Sequence, residues 1–186
     1  MKLREFREKF RSILEAEGQE QGEVTSLFRL LGEAHLGMSR VEMSLNLNKE
    51  LTAGELSLLE NGLARLQKHE PIQYILGETE FYGLPFKVNK NVLIPRPETE
   101  ELVEWILQDL KSSGIQDPTI LDIGTGSGCI AISLAKNLPG SEVSALDISE
   151  AALATAKTNA NLNGVKIKFE HLDILSVEKL SGECDI

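Results

Sequence analysis

Apolar residues recur at helical spacing over the first 70 positions, and the pattern predicts four helices. Leu3, Phe6, Phe10, Ile13 and Leu14 share one face of a helix over 2–17 that ends at Gly18. Val24, Leu27, Phe28, Leu31 and Ala34 define a second face before Gly37. Ser39 reads as the N-cap of a short helix through Val41 and Leu45. Thr52-Ala53-Gly54-Glu55 matches a capping box and opens a fourth helix with Leu56, Leu59, Leu63 and Leu66 on one stripe. Pro71 stops that helix or restarts a short one. Such helices with short connections predict a small bundle. His35 and His69 fall at helix ends with no partners at ligand spacing, and read as surface or capping residues.

The pattern changes near Gly77. Thr79–Gly83 and Pro85–Val88 alternate around a Gly83-Leu84 turn, which predicts a hairpin. Asn89-Lys90-Asn91 is a second turn, followed by Val92-Leu93-Ile94. Pro95 and Pro97 then stiffen an extended segment, and Pro97 suits the first position of a helix carrying Leu102, Val103, Ile106, Leu107 and Leu110. Glu98, Glu100 and Glu101 complement the dipole of its first turn. A sharper reading makes Arg96 and Glu98 one lip of a ligand cleft.

From Ile120 onward strands and helices alternate. A buried strand (Ile120, Leu121, Ile123), a glycine turn and an apolar helix come first. A strand over 142–147, an alanine-rich helix over 148–161, a strand over 165–170 and a loop over 171–174 follow. This is one half of a doubly wound parallel sheet. Cys184-Asp185-Ile186 reads as the start of a further strand, so the chain is expected to be a fragment of a longer protein. The expected fold is α/β: a truncated Rossmann-like domain over 98–186, preceded by a helical bundle over 1–75 and a hairpin linker over 76–97.

Ligands of such sheets lie across the carboxyl ends of the strands. Gly124, Gly126 and Gly128 let backbone turn tightly beside a ligand, with Thr125 and Ser127 between them. Three acids fall at corresponding strand ends: Asp122, Asp147 and Asp173. Asp147 can accept from two ribose hydroxyls, and Asp173 from an adenine amine. Asp122 can orient the loop or face a cation. A carboxylate beside the loop repels a pyrophosphate and welcomes a ligand bearing an amine and a sulfonium. The pattern therefore favours S-adenosyl-L-methionine over NAD. Cys129, in the first turn of the following helix, is where a thiol pKa can drop, but it reads as a small packing residue. His171 reads as loop surface. Cys129 and Cys184 give neither a disulfide framework nor metal-ligand spacing, so no metal is expected.

Charge narrows the partners. The 186 residues carry a net charge of −10, unevenly spread. Residues 1–93 hold 12 Lys and Arg against 14 Asp and Glu, and the remainder holds 7 against 15. That balance disfavours nucleic acid as a direct partner. No apolar run approaches the roughly 18 residues of a membrane span, and the acid-bearing start fits neither a signal nor a transit peptide. A cytoplasmic protein is expected.

Gly124-Thr125-Gly126-Ser127-Gly128, with Asp122 and Asp147, resembles the class I S-adenosylmethionine methyltransferases. Two further stretches are similar to signatures of the HemK/PrmC family of peptide chain release factor N5-glutamine methyltransferases. They are Pro71-Ile72-Gln73-Tyr74-Ile75-Leu76-Gly77 with Phe81-Tyr82-Gly83, and Val92-Leu93-Ile94-Pro95-Arg96-Pro97-Glu98-Thr99-Glu100. The resemblance implies methylation of the glutamine side-chain nitrogen in the Gly-Gly-Gln motif of class 1 release factors. It also implies a helical substrate-recognition domain over 1–75, a hairpin linker and a seven-stranded methyltransferase domain in a monomer. Residues 124–128 and Asp147 would hold the cofactor, with Asp173 and Ile174 flanking its adenine. The family's Asn-Pro-Pro-Tyr motif, which binds the target amide, would lie a few residues past Ile186, so no catalytic residue is expected in this chain. The alternatives are N-methylation of a ribosomal protein or of adenine in nucleic acid.

Overall fold

A computed structural model describes residues 1–177 and 184–186. The chain forms two compact units, Met1–Leu76 and Gly77–Ile186.

The first unit holds α1 (Leu3–Ala16), α2 (Gln21–Leu36), α3 (Arg40–Leu45), α4 (Ala53–Leu66) and α5 (Ile72–Leu76). Its core is built on Phe6, Phe10 and Phe28, whose rings lie 5.5–6.4 Å apart between centroids. Leu3, Leu14, Leu31 and Leu59 are fully buried around them. Ser39 and Thr52 both close capping boxes, with Glu42 and Glu55 respectively. After Pro71 the chain restarts as α5. Arg65 fixes it, donating to both oxygens of Glu70 and to the carbonyls of Tyr74 and Ile75. Behind the Ser39 cap the short helix runs through Val41 and Leu45 as its sequence predicts; these two side chains are 66% and 79% exposed, and α3 buries Met43. Six residues are too few for periodicity to define a face.

The second unit opens with the hairpin β1 (Glu78–Phe81) and β2 (Leu84–Lys87). Its turn is Tyr82-Gly83, not Gly83-Leu84. Both turn residues have positive φ, 51° and 70°, the two-residue geometry whose twist matches that of the strands. Phe81 and Phe86 meet edge to face at 6.0 Å and join the core of this unit. Next come α6 (Pro97–Ser113), β3 (Thr119–Ile123), α7 (Cys129–Asn137), β4 (Glu142–Asp147), α8 (Glu150–Asn163) and β5 (Lys168–His171). The strands form a parallel sheet in the order β3-β4-β5. β5 starts three residues later than Val165. On the outer side of β3, Asp185 N–H donates to the Thr119 carbonyl and Leu121 N–H to that of Ile186. Ile120, Val143, Ala145 and Leu146 are buried, whereas Ile123, read as part of a buried strand, is 49% exposed at its carboxyl end. No helix among the described residues is long and apolar enough to cross a membrane.

Candidate cofactor site

The site is built where β3 and β4 end. β3 delivers Asp122 and then turns through Gly124, Gly126 and Gly128, all with positive φ, into α7. Gly124 and Thr125 both donate their backbone N–H to the Leu146 carbonyl, which ties the loop to the end of β4. Gly128 is the N-cap of α7 at φ 81°. A Cβ there would stand 2.9 Å from Ile132 Cδ1 and 3.2 Å from Ala156 Cβ, so glycine is required by both conformation and packing.

Asp122 organises the loop from below. Its carboxylate accepts from Thr125 Oγ1 at 2.7 Å and from the backbone N–H of Ala131 in the first turn of α7. Burial lifts its pKa above the ordinary aspartate value, and the nearby charge of Asp147 adds to the rise, while the two hydrogen bonds oppose it. Asp147 closes β4 and accepts two backbone N–H groups, Gly126 at 2.9 Å and Ser149 at 2.8 Å, one on each oxygen. Each carboxylate oxygen retains a second lone pair. Asp173 caps the short turn Ile174–Ser176, accepting from Leu175 N–H at 2.9 Å, and both it and Ile174 are partly buried. Arg96 is the exposed N-cap residue of α6 and Glu98 lies exposed in its first turn.

Cys129 is buried, and desolvation raises its thiol pKa despite its place at the start of α7. The lowering expected of a helix N-terminus is outweighed by burial. His171 Nε2 lies 2.8 Å from the Ile148 carbonyl, and its Nδ1 lies 3.3 Å from Glu150. His35 is half-buried in the last turn of α2, and desolvation lowers its pKa.

Sequence reasoning missed two asparagines on α8. Asn159, fully buried, donates to the carbonyls of Ser127 and Lys87, both at 2.9 Å, and accepts the Lys87 N–H at 2.7 Å. Asn163 donates to the Pro85 carbonyl at 2.9 Å. Asn89 Nδ2 donates to Thr155 Oγ1 at 3.0 Å, one turn earlier on α8. The available signal was polar residues at 155, 159 and 163 inside the stripe of Ala152, Ala156 and Ala160.

The cradle fits a nucleoside-type ligand. A Cβ built on Gly124 would meet nothing within 4 Å, and one on Gly126 only the Gly124 carbonyl at 4.0 Å. The loop is thus open on the side that its glycines face, with Asp122 and Asp147 beside it.

Two family models match the chain: the PrmC N-terminal domain over residues 5–77 and the methyltransferase small domain over residues 100–185. A release factor glutamine methyltransferase of Flavobacterium psychrophilum is 51% identical over 187 residues, covering 100% of this chain and 65% of that protein. Proteins of the same description are 45% identical in Chlorobaculum tepidum, over 79% of this chain and 51% of that protein, and 38% identical in Streptococcus pneumoniae, over 100% and 64%. The chain therefore spans less than two thirds of the length of these relatives. Residues 5–77 thus match a PrmC N-terminal domain and residues 100–185 a methyltransferase small domain, and along its whole length the chain is similar to release factor glutamine methyltransferases.

Proposed function

We propose that this chain is the substrate-recognition and cofactor-binding part of an S-adenosyl-L-methionine-dependent methyltransferase. Its target is the glutamine side-chain nitrogen in the Gly-Gly-Gln motif of class 1 release factors. The whole protein acts as a cytoplasmic monomer. The 51% identity to a release factor glutamine methyltransferase over the full chain carries the reading. The open glycine cradle beside two carboxylates supports it.

Bound S-adenosyl-L-methionine supplies an electrophilic methyl group on a sulfonium. The residues of this chain bind and orient. Asp147, already fixed by Gly126 and Ser149, offers its remaining lone pairs to the ribose hydroxyls. Asp122 places negative charge under the loop, where a cationic ligand is favoured. Residues 124–128 lie along the ligand, and Asp173 with Ile174 flanks the adenine. Arg96 and Glu98 form one lip of the cleft. An amide nitrogen is a poor nucleophile because its lone pair is delocalised into the carbonyl, so its transfer depends on acceptors for the N–H groups and on in-line placement. In the family that the chain resembles, an Asn-Pro-Pro-Tyr motif supplies those acceptors.

The test uses a protein of its relatives' length that contains this chain, with methyl-labelled S-adenosyl-L-methionine and a class 1 release factor. Label should enter the release factor and vanish when the Gly-Gly-Gln glutamine is replaced. Label in RNA, DNA or a ribosomal protein instead overturns the reading.

A further inference from the structure

The helical unit carries a groove that cofactor binding leaves unused. It lies between α1, α2 and α3 and encloses about 590 Å³. Its floor is apolar, formed by Phe28, Met43 and Leu47. Its walls bear Arg7, Arg29 and Arg40 and no acidic side chain. A hollow of about 300 Å³ continues along α1 and α2, sharing Arg7 and Phe28 and adding Arg11, with Glu8 as its one acid. In a chain of net charge −10 this is a local inversion of sign. Arg7 and Arg11 stand four apart on α1, a like-charge spacing that disfavours an isolated helix. The hydroxyls of Thr25, Ser26 and Ser44 donate to carbonyls four residues back in their own helices. The arginines are therefore the strong donors the groove presents. Arg29 is held in place by Glu33 at 2.7 Å.

An apolar floor between guanidinium walls matches one kind of occupant: a protein segment with bulky apolar side chains on one face and carboxylates along its flanks. A polyanion such as RNA would meet the arginines but leave the apolar floor of Phe28, Met43 and Leu47 unused. We propose that this groove docks an acidic amphipathic segment of the protein that is methylated, at a distance from the glutamine that reacts. That the methylated protein is a release factor rests on the function proposed above.

The experiment compares the relatives'-length protein with its Arg7→Glu, Arg40→Glu and doubly substituted forms. Arg7→Gln and Arg40→Gln separate loss of charge from its reversal. Both positions are exposed, and thermal melts check that each variant is folded. The double reversal should raise KM for the release factor about tenfold or more, with kcat and S-adenosyl-L-methionine affinity unchanged. KM for a short Gly-Gly-Gln peptide should not move. An unchanged KM for the release factor, or an equal rise for the short peptide, overturns the proposal. If the unmodified protein transfers no methyl group to a release factor, the substrate reading fails. The groove is then judged by a labelled peptide with Glu and Leu at helical spacing: binding that is lost in the double reversal supports it. Binding equal in both forms, no binding at all, or equal binding of an oligouridylate overturns it.

Discussion

The side-chain amide of Asn159 donates to the backbone carbonyl of Ser127 at 2.9 Å, inside the glycine loop. The same side chain pairs with both backbone groups of Lys87 on the hairpin. One buried residue of α8 thus fixes the hairpin and the glycine loop to a common helix. Replacing it with leucine strands two carbonyls and one N–H in an interior where the side chain has no exposure. Unpaired buried groups cost about 1–3 kcal/mol each, partly relieved by relaxation, so Asn159→Leu should destabilise the protein by about 2–4 kcal/mol. Urea unfolding measures it. An Asn159→Asp variant should lose nearly as much, because a carboxylate cannot donate to the two carbonyls. A shift below 0.5 kcal/mol in both would show that the contacts contribute little.

Gly128 joins the loop to α7 at φ 81°, against Ile132 and Ala156. A methyl group there meets strain in the left-handed region and crowding at 2.9 Å together. Gly128→Ala should cost about 2 kcal/mol, the sum of roughly 1 kcal/mol from each source. It should also weaken S-adenosyl-L-methionine binding measured by calorimetry, because relief requires the loop to move. Gly164, also at positive φ but with nothing within 4 Å of its Cβ position, is the control. Gly164→Ala should lose only the conformational part and leave the cofactor affinity unchanged.

Much of this fold is written in short-range pattern. The leucines at 59, 63 and 66 and the Ser39 and Thr52 capping boxes are local signals, and the helices they mark are present. So is the passage from β3 through Gly124 and Gly128 into α7, which needs no tertiary knowledge because the glycines are demanded by the turn itself. What escaped was decided by packing. Met43, not Val41 or Leu45, faces the core because α3 is anchored by the segments around it rather than by its own period. The hairpin turn took Tyr82 into positive φ because the Phe81–Leu84 pairing leaves only two residues to turn in. Asn159 was invisible as a site residue because its partners are backbone groups 72 and 32 positions away, and backbone acceptors leave no mark in a sequence.

Glu55 reaches back across the first turn of α4. It accepts from Lys49 Nζ and from the Thr52 N–H, and these contacts pull its pKa down to about 2. A depressed carboxylate stabilises the fold above the unfolded value near 4.3 and loses that contribution as pH falls toward its folded value. The difference in urea midpoint between the unmodified chain and Glu55→Gln should therefore be widest near pH 6 and shrink as pH falls below about 4. Thr52→Ala removes the other half of the box and should cost about 1 kcal/mol near pH 6. A midpoint difference for Glu55→Gln that stays constant with pH would show that the contacts are not ionic.

Asp122 behaves in the opposite sense. Burial raises its pKa, so the folded chain holds this proton more tightly than the unfolded chain does. The stability that follows is complete below the unfolded value near 3.9 and is lost as pH rises through the folded value. Asp122→Asn keeps an acceptor for Thr125 or Ala131 but does not titrate. It should gain stability relative to the unmodified chain as pH rises from about 4 to 7 in urea unfolding. The cofactor reverses the sign. A sulfonium placed beside the loop favours the ionised carboxylate, so S-adenosyl-L-methionine should bind more tightly to the unmodified chain as pH rises over the same interval. Asp122→Asn should flatten that rise and weaken binding at pH 7 by about tenfold, the worth of one charge pair of roughly 1.4 kcal/mol. S-adenosylhomocysteine, which lacks the sulfonium charge, should show a smaller penalty than the charged cofactor. Equal losses for the two ligands would mean that Asp122 shapes the loop and takes no part in recognising the cation.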